Sequence, residues 1–118
     1  MTTKTIMYGI KNCDTIRKAR NWLTEHNIDF DFFDYRKDEL TLEQLKAFSA
    51  ACGWSNLLNT RGTTYRQLAA QDKENLDENK ALALMLAQPA MIKRPLVHHK
   101  GQYHLGFKPD QYQDIFSI

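Results

Sequence analysis

The first 27 residues pass from a short apolar run to a stretch with helical periodicity. Residues 5–8 are β-branched and aromatic, which predicts a buried strand that ends at Gly9. Apolar side chains then recur every three or four positions between Ile16 and Leu23, as expected for one face of a helix. Asn27 is predicted to end this helix. The chain therefore begins as a strand, a loop and an amphipathic helix.

A second strand is predicted over residues 29–35, where polar and aromatic residues alternate along part of the segment. This alternation places Phe30 and Phe32 on one face of the strand. Strand, helix and strand in this order predict a parallel pair joined by a right-handed crossover.

The middle of the chain, about residues 41–88, carries only helical patterns. Thr41 and Gln44 have the spacing of a capping box, and the helix that they start is predicted to run to Gly53. Two further helices are predicted downstream, over residues 65–71 and 76–88. Three helical segments are thus expected between the first strand pair and the next strand.

The last part of the chain predicts a hairpin and a helix. Pro95 cannot donate to a central ladder, so it marks an edge, a first strand position or a cis turn. Strands are predicted over residues 96–99 and 102–105, because Lys100 and Gly101 between them suit a two-residue hairpin. A terminal helix is predicted over residues 109–116, with a proline in its first turn.

Length and charge exclude several classes of protein. With 118 residues, the chain is predicted to be one domain, residues 1–118, that buries its own core. The 16 basic and 14 acidic side chains give a net charge of +2 and are scattered, so direct nucleic-acid binding is not expected. Neither a signal peptide nor an apolar run long enough to cross a bilayer is present, and a cytoplasmic monomer that does not contact membranes is expected.

Cys13 is the best candidate for a reactive group. It lies where the first loop meets the first helix, and unpaired N–H groups at a helix start stabilise a negatively charged sulfur. Lys11 and Arg17 favour the same charge, whereas Asp14 opposes it. The sequence therefore predicts a thiol with a lowered pKa that acts as a nucleophile.

Two other candidates stay open on local sequence alone. Cys52 ends an apolar helical face, which favours a small buried hydrophobic residue, although a distant thiol that resolves a disulfide is the alternative. Arg61 precedes Gly62 in a turn and is either a functional guanidinium or an ordinary surface arginine.

Three histidines near the hairpin raise the possibility of a metal site. His99 and His104 could lie diagonally on one face of the hairpin, but no cysteine or carboxylate within the hairpin completes a ligand set. We therefore interpret His98, His99 and His104 as strand-surface residues and expect no metal.

Four motifs, together with the order of the elements, resemble the arsenate reductase (ArsC) and Spx family, and are most similar to its YffB-like branch. The resemblance extends over nearly the whole chain and implies an α/β, thioredoxin-like fold with a mixed sheet of about four strands and a helical insert. The motifs are Tyr8-Gly-Ile-Lys-Asn-Cys-Asp-Thr-Ile-Arg-Lys-Ala19, Asn59-Thr-Arg-Gly62, Lys93-Arg-Pro-Leu96 and Gly106-Phe-Lys-Pro109.

The resemblance implies roles for individual residues. Cys13 matches the nucleophile of the glutathione-coupled arsenate reductases, and Arg94 matches the arginine before a proline that is usually cis, here Pro95. Arg61 lies close to the position of a second arginine of that site. Lys108 stands where a third arginine is expected, and lysine cannot form the bidentate fork, so slow or absent arsenate reduction is expected.

The Spx branch of the family implies a different role. Its regulators carry a Cys-x-x-Cys redox switch and bind the C-terminal domain of the RNA polymerase α subunit. Cys13 matches the first cysteine of the switch, but Ile16 stands at the second position. The switch is therefore absent from this chain.

The sequence as a whole favours a glutathione-dependent thiol reductase in which Cys13 forms a mixed disulfide. Arg94 and Arg61 would be the other catalytic residues. Glutathione is the expected co-substrate, and its binding or that of a small thiol or oxyanion substrate is assigned to Lys11, Asn12, Pro95 and Lys108. The alternative is an Spx-like regulator that binds the RNA polymerase α subunit without turnover.

Overall fold

The computed structural model describes residues 4–118, which form four strands, seven helices and a single 3₁₀ turn. The chain divides into two compact units, one made of the residues up to Asp34 together with Arg94–Ile118, the other of Tyr35–Lys93. The strands are β1 (Thr5–Gly9), β2 (Phe30–Asp34), β3 (Leu96–His99) and β4 (Gln102–Leu105). The helices are α1 (Asp14–Glu25), α2 (Leu42–Cys52), α3 (Trp54–Leu57), α4 (Thr63–Arg66), α5 (Ala70–Lys73), α6 (Glu78–Ala87) and α7 (Pro109–Phe116), with a 3₁₀ turn at Pro89–Met91.

The first unit is built on a mixed sheet with the strand order β2-β1-β3-β4. β1 and β2 are parallel, as the sequence predicts, whereas β3 lies antiparallel to β1 and pairs with β4 as a hairpin. Helix α1 connects the two parallel strands, and α7 follows the hairpin. This arrangement of strands and helices is the thioredoxin-like fold that the family resemblance implies.

The core of this unit forms between the sheet and the apolar faces of α1 and α7. Phe30 and Phe32 of β2 pack against it from one face of the strand, which confirms their predicted placement. Trp22 and Tyr112 meet edge to face, with their ring centroids 5.5 Å apart. The buried members of the cluster are Met7, Ile16, Ala19, Trp22, Leu23, Val97 and Tyr112.

Gly9 ends β1 at a place where a side chain does not fit. A Cβ atom at this position would collide with the side chain of Ile16, which is fully buried at the start of α1. The glycine therefore allows the end of β1 to lie directly against the first turn of α1. This contact fixes the loop of residues 10–13 between the two elements.

The hairpin and the segment just before it have the conformations that the sequence analysis predicts. Lys100 and Gly101 both have positive φ, 49° and 77°, as a two-residue type I′ turn requires. The Arg94–Pro95 peptide bond is cis, as the family resemblance implies. The Gly106 N–H donates to the Pro95 carbonyl at 2.8 Å and thus ties the end of β4 to the start of β3.

The second unit is helical, and its first helix begins at the predicted capping box. The Gln44 N–H donates to the Thr41 hydroxyl at 3.1 Å, and the Thr41 N–H donates to the Gln44 side chain at 2.9 Å. α2 then ends before Gly53, whose φ is 86°. Both predicted ends of this helix are confirmed.

The prediction of one helix over residues 65–71 is wrong. Two single turns, α4 and α5, occupy this region, and between them Ala69 has an extended ψ of 149°. The Lys73 ammonium donates to the Arg66 carbonyl at 3.1 Å, so a side chain satisfies a backbone group that a continuous helix would pair internally. This break and the unpredicted short helix α3 together give five helices rather than three between β2 and β3.

No helix among residues 4–118 combines the length and the apolar character that crossing a membrane requires.

Candidate functional site

Cys13 is the N-cap residue of α1, with the extended backbone that this position requires (φ −126°, ψ 131°). Its thiol is free and half-buried, and it packs against the core cluster of the first unit. The sulfur therefore lies at the end of the helix where backbone N–H groups lack intrahelical partners.

Opposing effects act on the Cys13 thiol. Burial raises its pKa, but hydrogen bonds from the Ile16 and Thr15 N–H groups and from the Arg94 side chain, together with the Arg94 charge, outweigh burial. The pKa of Cys13 is therefore lowered overall, and the predicted direction is confirmed.

The charged residues next to Cys13 in sequence affect the pKa of its thiol less than the sequence suggests. Arg17 forms an ion pair with Asp14 on the exposed side of α1, so the two charges largely offset each other. The cation that acts on the sulfur is Arg94, from the segment before β3. Because Arg94 is 81 positions away, only the fold places it there.

Lys11 and Asn12 are exposed in the loop before Cys13. They form one end of a cavity of about 420 Å³ that continues along α1, which we call the α1 groove. Its lining includes Lys11, Asn12, Asp14, Arg17, Arg20 and Phe30. Sequence analysis missed Arg20 and Phe30, because only the packing of β2 beside α1 brings them together.

The remaining predicted site residues do not line the α1 groove. Pro95 is buried at the start of β3, next to Arg94. Lys108 is exposed and is the N-cap residue of α7. Arg61 is exposed in the second unit, where its N–H donates to the Asn59 side-chain oxygen at 3.1 Å. The assignments of Arg61 and Lys108 to the site stay predictions.

Cys52 lies in an electrostatic setting opposite to that of Cys13. It is the last residue of α2 and is half-buried rather than fully buried. Burial raises the pKa of its thiol. The Cys52 carbonyl accepts a hydrogen bond from the Asn56 side chain at 2.7 Å, which satisfies one of the free carbonyls at this helix end.

The hairpin histidines take part in local contacts. His99 Nδ1 lies 2.7 Å from the Thr5 hydroxyl oxygen, and the His99 ring lies 4.5 Å from that of Phe116. Burial lowers the pKa of both His99 and His104. Within residues 4–118, no group of three or more His, Cys, Asp or Glu side chains is arranged to hold a metal ion.

The sheet, the N-cap cysteine and the arginine before a cis proline define a thioredoxin-like protein whose candidate reactive group is a thiol. The chain belongs to the ArsC family, because residues 8–115 match the model of that family.

Known proteins of three kinds are similar to this chain. The solved structure of the YffB protein has 48% sequence identity and a TM-score of 0.92, and the match covers 95% of this chain and 98% of YffB. An uncharacterised protein of Haemophilus influenzae is 43% identical over 94% of this chain and 97% of its own length. The global transcriptional regulator Spx 2 of Bacillus cereus is 28% identical over 90% of this chain and 82% of its own length.

Proposed function

We propose that this protein is a thiol–disulfide oxidoreductase that uses Cys13 as its nucleophile and glutathione as its co-substrate. The observation that carries the proposal is the lowered pKa of Cys13, caused by the first turn of α1 and by Arg94. Exchange at sulfur needs a thiolate as nucleophile, and a lowered pKa increases the fraction of Cys13 that is ionised near neutral pH.

The first step is the attack of the Cys13 thiolate on one sulfur of a substrate disulfide. A disulfide forms between Cys13 and that sulfur, the original S–S bond breaks, and the other sulfur leaves as a thiolate. One half of the substrate is thereby reduced, while Cys13 is oxidised to a mixed disulfide.

The second step uses reduced glutathione. Its thiolate attacks the substrate sulfur bound to Cys13, so that the Cys13 thiolate leaves and a substrate–glutathione disulfide forms. The proposal assigns this step to an external thiol, because Ile16 stands where a resolving cysteine would lie on α1. Arg94 supports both steps, because it stabilises Cys13 first as attacking and then as leaving thiolate.

Access to the sulfur comes from the loop before α1. Lys11 and Asn12 are exposed next to Cys13 and offer a cation and an amide to an anionic co-substrate. Lys108, exposed at the start of α7, is proposed as a further cation for the same purpose.

Mass spectrometry of the intact protein after exposure to oxidised glutathione tests the proposal. The wild type and Cys52→Ala should each gain one glutathione, whereas Cys13→Ser should gain none. The wild type should also reduce a small disulfide in an assay coupled to glutathione reductase. An adduct that maps to Cys52, or turnover that survives in Cys13→Ser, contradicts the assigned nucleophile.

A second candidate function is that of a regulator without turnover, which the similarity to Spx 2 favours. Such a protein would keep the fold and bind the C-terminal domain of the RNA polymerase α subunit. Titration of the purified domain into this protein separates the two candidates. Binding together with no turnover in the coupled assay favours the regulator, and turnover without binding favours the enzyme.

A further inference from the structure

The α1 groove begins beside Cys13 and follows one face of α1. Asn12 and Asp14, the immediate neighbours of Cys13, line its near end. The lining positions on the helix extend to Thr24, ten residues beyond Asp14, or about 15 Å along the axis. A fully extended tripeptide spans about 10 Å. The groove is thus long enough for a short peptide, and it ends at the two residues that flank Cys13, which is not itself part of the lining.

The charge of the groove is positive. Among the described residues that line it, Lys11, Arg17 and Arg20 are cationic and Asp14 is the one carboxylate. The ion pair between Arg17 and Asp14 leaves Lys11 and Arg20 as the net charges, one at each side of Cys13 in sequence.

Arg20 is held in place by its surroundings. Its guanidinium carbon lies 4.7 Å from the centroid of the Phe32 ring, a cation–π contact, and the side chain is half-buried. Near the start of β2, Asp29 and Asp31 both contact the Lys4 ammonium, at 3.7 and 3.1 Å, which offsets one of their two charges. A cation that is already ordered loses little entropy when it binds an anion.

We propose that the α1 groove is the subsite that binds the carboxylates of glutathione, with Lys11 and Arg20 as the residues that determine specificity for a thiol carrying carboxylates. The inference rests on the proposed exchange reaction at Cys13. Arg20 lies seven residues after Cys13, about 10 Å along α1, and helix side chains point back toward the N-terminus. In the proposed arrangement the sulfur of the central residue meets Cys13, one end of the tripeptide extends toward the Arg20 guanidinium, and the other end faces Lys11.

The proposed subsite also predicts which disulfides should react slowly with Cys13. A disulfide without carboxylates has the same S–S bond but gains nothing from Lys11 or Arg20. Phe30 in the lining offers an apolar surface to any peptide, so the discrimination has to come from charge. The preference for glutathione disulfide should accordingly decrease as salt is added.

The test compares the rate of adduct formation at Cys13 with glutathione disulfide and with the uncharged bis(2-hydroxyethyl) disulfide. Arg20→Gln should lower the ratio of the rate with glutathione disulfide to the rate with the neutral reagent roughly fivefold, a typical value for one exposed ion pair. Lys18→Gln is the matched control, since Lys18 is an exposed cation on α1 outside the groove. It should change neither rate by more than a small factor.

Lys11→Gln provides a second variant in an exposed loop, where folding is not at risk, and should show the same selective loss. If Arg20→Gln and Lys11→Gln each react more slowly by the same factor with both reagents, the subsite is overturned. It is also overturned if the wild type does not react faster with glutathione disulfide than with the neutral disulfide. If the wild type forms no adduct with either reagent, the exchange reaction itself fails and the subsite with it. Adducts that form readily but without selectivity overturn the subsite alone.

Discussion

At the scale of single residues, two cysteines show how position in a helix affects the pKa of a thiol. Cys13 precedes the first turn of α1, where N–H groups and Arg94 lower its pKa despite partial burial. Cys52 ends α2, where free carbonyls replace N–H groups, and burial raises its pKa. The thiolate form is therefore favoured at the start of one helix and disfavoured at the end of the other.

Replacing Arg94 should make Cys13 less reactive. Arg94→Ala removes a hydrogen bond and a positive charge that both favour the thiolate, so the pKa of Cys13 should rise. Alkylation by iodoacetamide at pH 7 should slow several-fold, and the midpoint of rate against pH should move upward. Arg94→Lys, which keeps the charge, should show a smaller change. An unchanged midpoint in Arg94→Ala would contradict the role assigned to Arg94.

Lys108 leads to a prediction about arsenate. A transition state with charge on several oxygens needs donors aimed at them, and lysine offers one flexible ammonium in place of a guanidinium fork. Loss of one such donor typically costs about a hundredfold or more in rate. The wild type should therefore reduce arsenate slowly or not at all, and Lys108→Arg should be faster. Rapid arsenate turnover by the wild type would refute this prediction.

At the scale of elements, local signals determine where the helices begin and end. The capping box at Thr41 starts α2, and Gly53 with its positive φ ends it. Gly9 acts differently, because its small size allows β1 to meet the first turn of α1. Capping depends on neighbouring residues alone, whereas the need for a glycine at position 9 depends on packing.

Removal of the cap should destabilise the protein without affecting the thiol. Thr41→Ala loses the hydrogen bond from the Gln44 N–H, which should lower the free energy of unfolding by about 1 kcal/mol. Urea unfolding measures this loss, and Thr60→Ala, an exposed turn threonine, is the control. The alkylation rate of Cys13 should be the same in both variants, and a slower rate in Thr41→Ala would show that the cap also acts on the site.

At the scale of the whole molecule, the core cluster that stabilises the first unit also packs against Cys13 of the candidate site. Cys13 and Phe107 pack against a cluster in which Tyr112 is fully buried. Among the described residues, the Tyr112 hydroxyl finds no hydrogen-bond partner. Burial raises its pKa far above the ordinary value, because the ionised phenolate would lie in an apolar surrounding.

Stability should therefore decrease in strong base. Unfolded tyrosine ionises near pH 10, whereas folded Tyr112 stays protonated, so above that pH the unfolded state binds fewer protons and its free energy falls relative to that of the folded state. At pH 7 the free energy of unfolding of Tyr112→Phe should equal that of the wild type or exceed it by up to about 1 kcal/mol. It should also lose much less stability between pH 9 and pH 11 than the wild type.

Urea unfolding at both pH values measures the effect, with Tyr65→Phe as the control. Part of the alkaline loss should persist in Tyr112→Phe, because burial also raises the pKa of Tyr8. A variant that loses stability with pH as steeply as the wild type would contradict the assignment to Tyr112.

The sequence by itself determined the elements with strong local signals: the parallel strand pair, α1, the capped α2, the hairpin and α7. It also identified Cys13, because a helix start lowers a thiol pKa wherever the helix lies. It did not reveal the break between α4 and α5, where the Lys73 ammonium satisfies a carbonyl. The family resemblance assigned Arg94 to the site, whereas only the tertiary structure showed its hydrogen bond to Cys13 and the groove that Arg20 shares with Phe30, because these contacts join residues from separate elements.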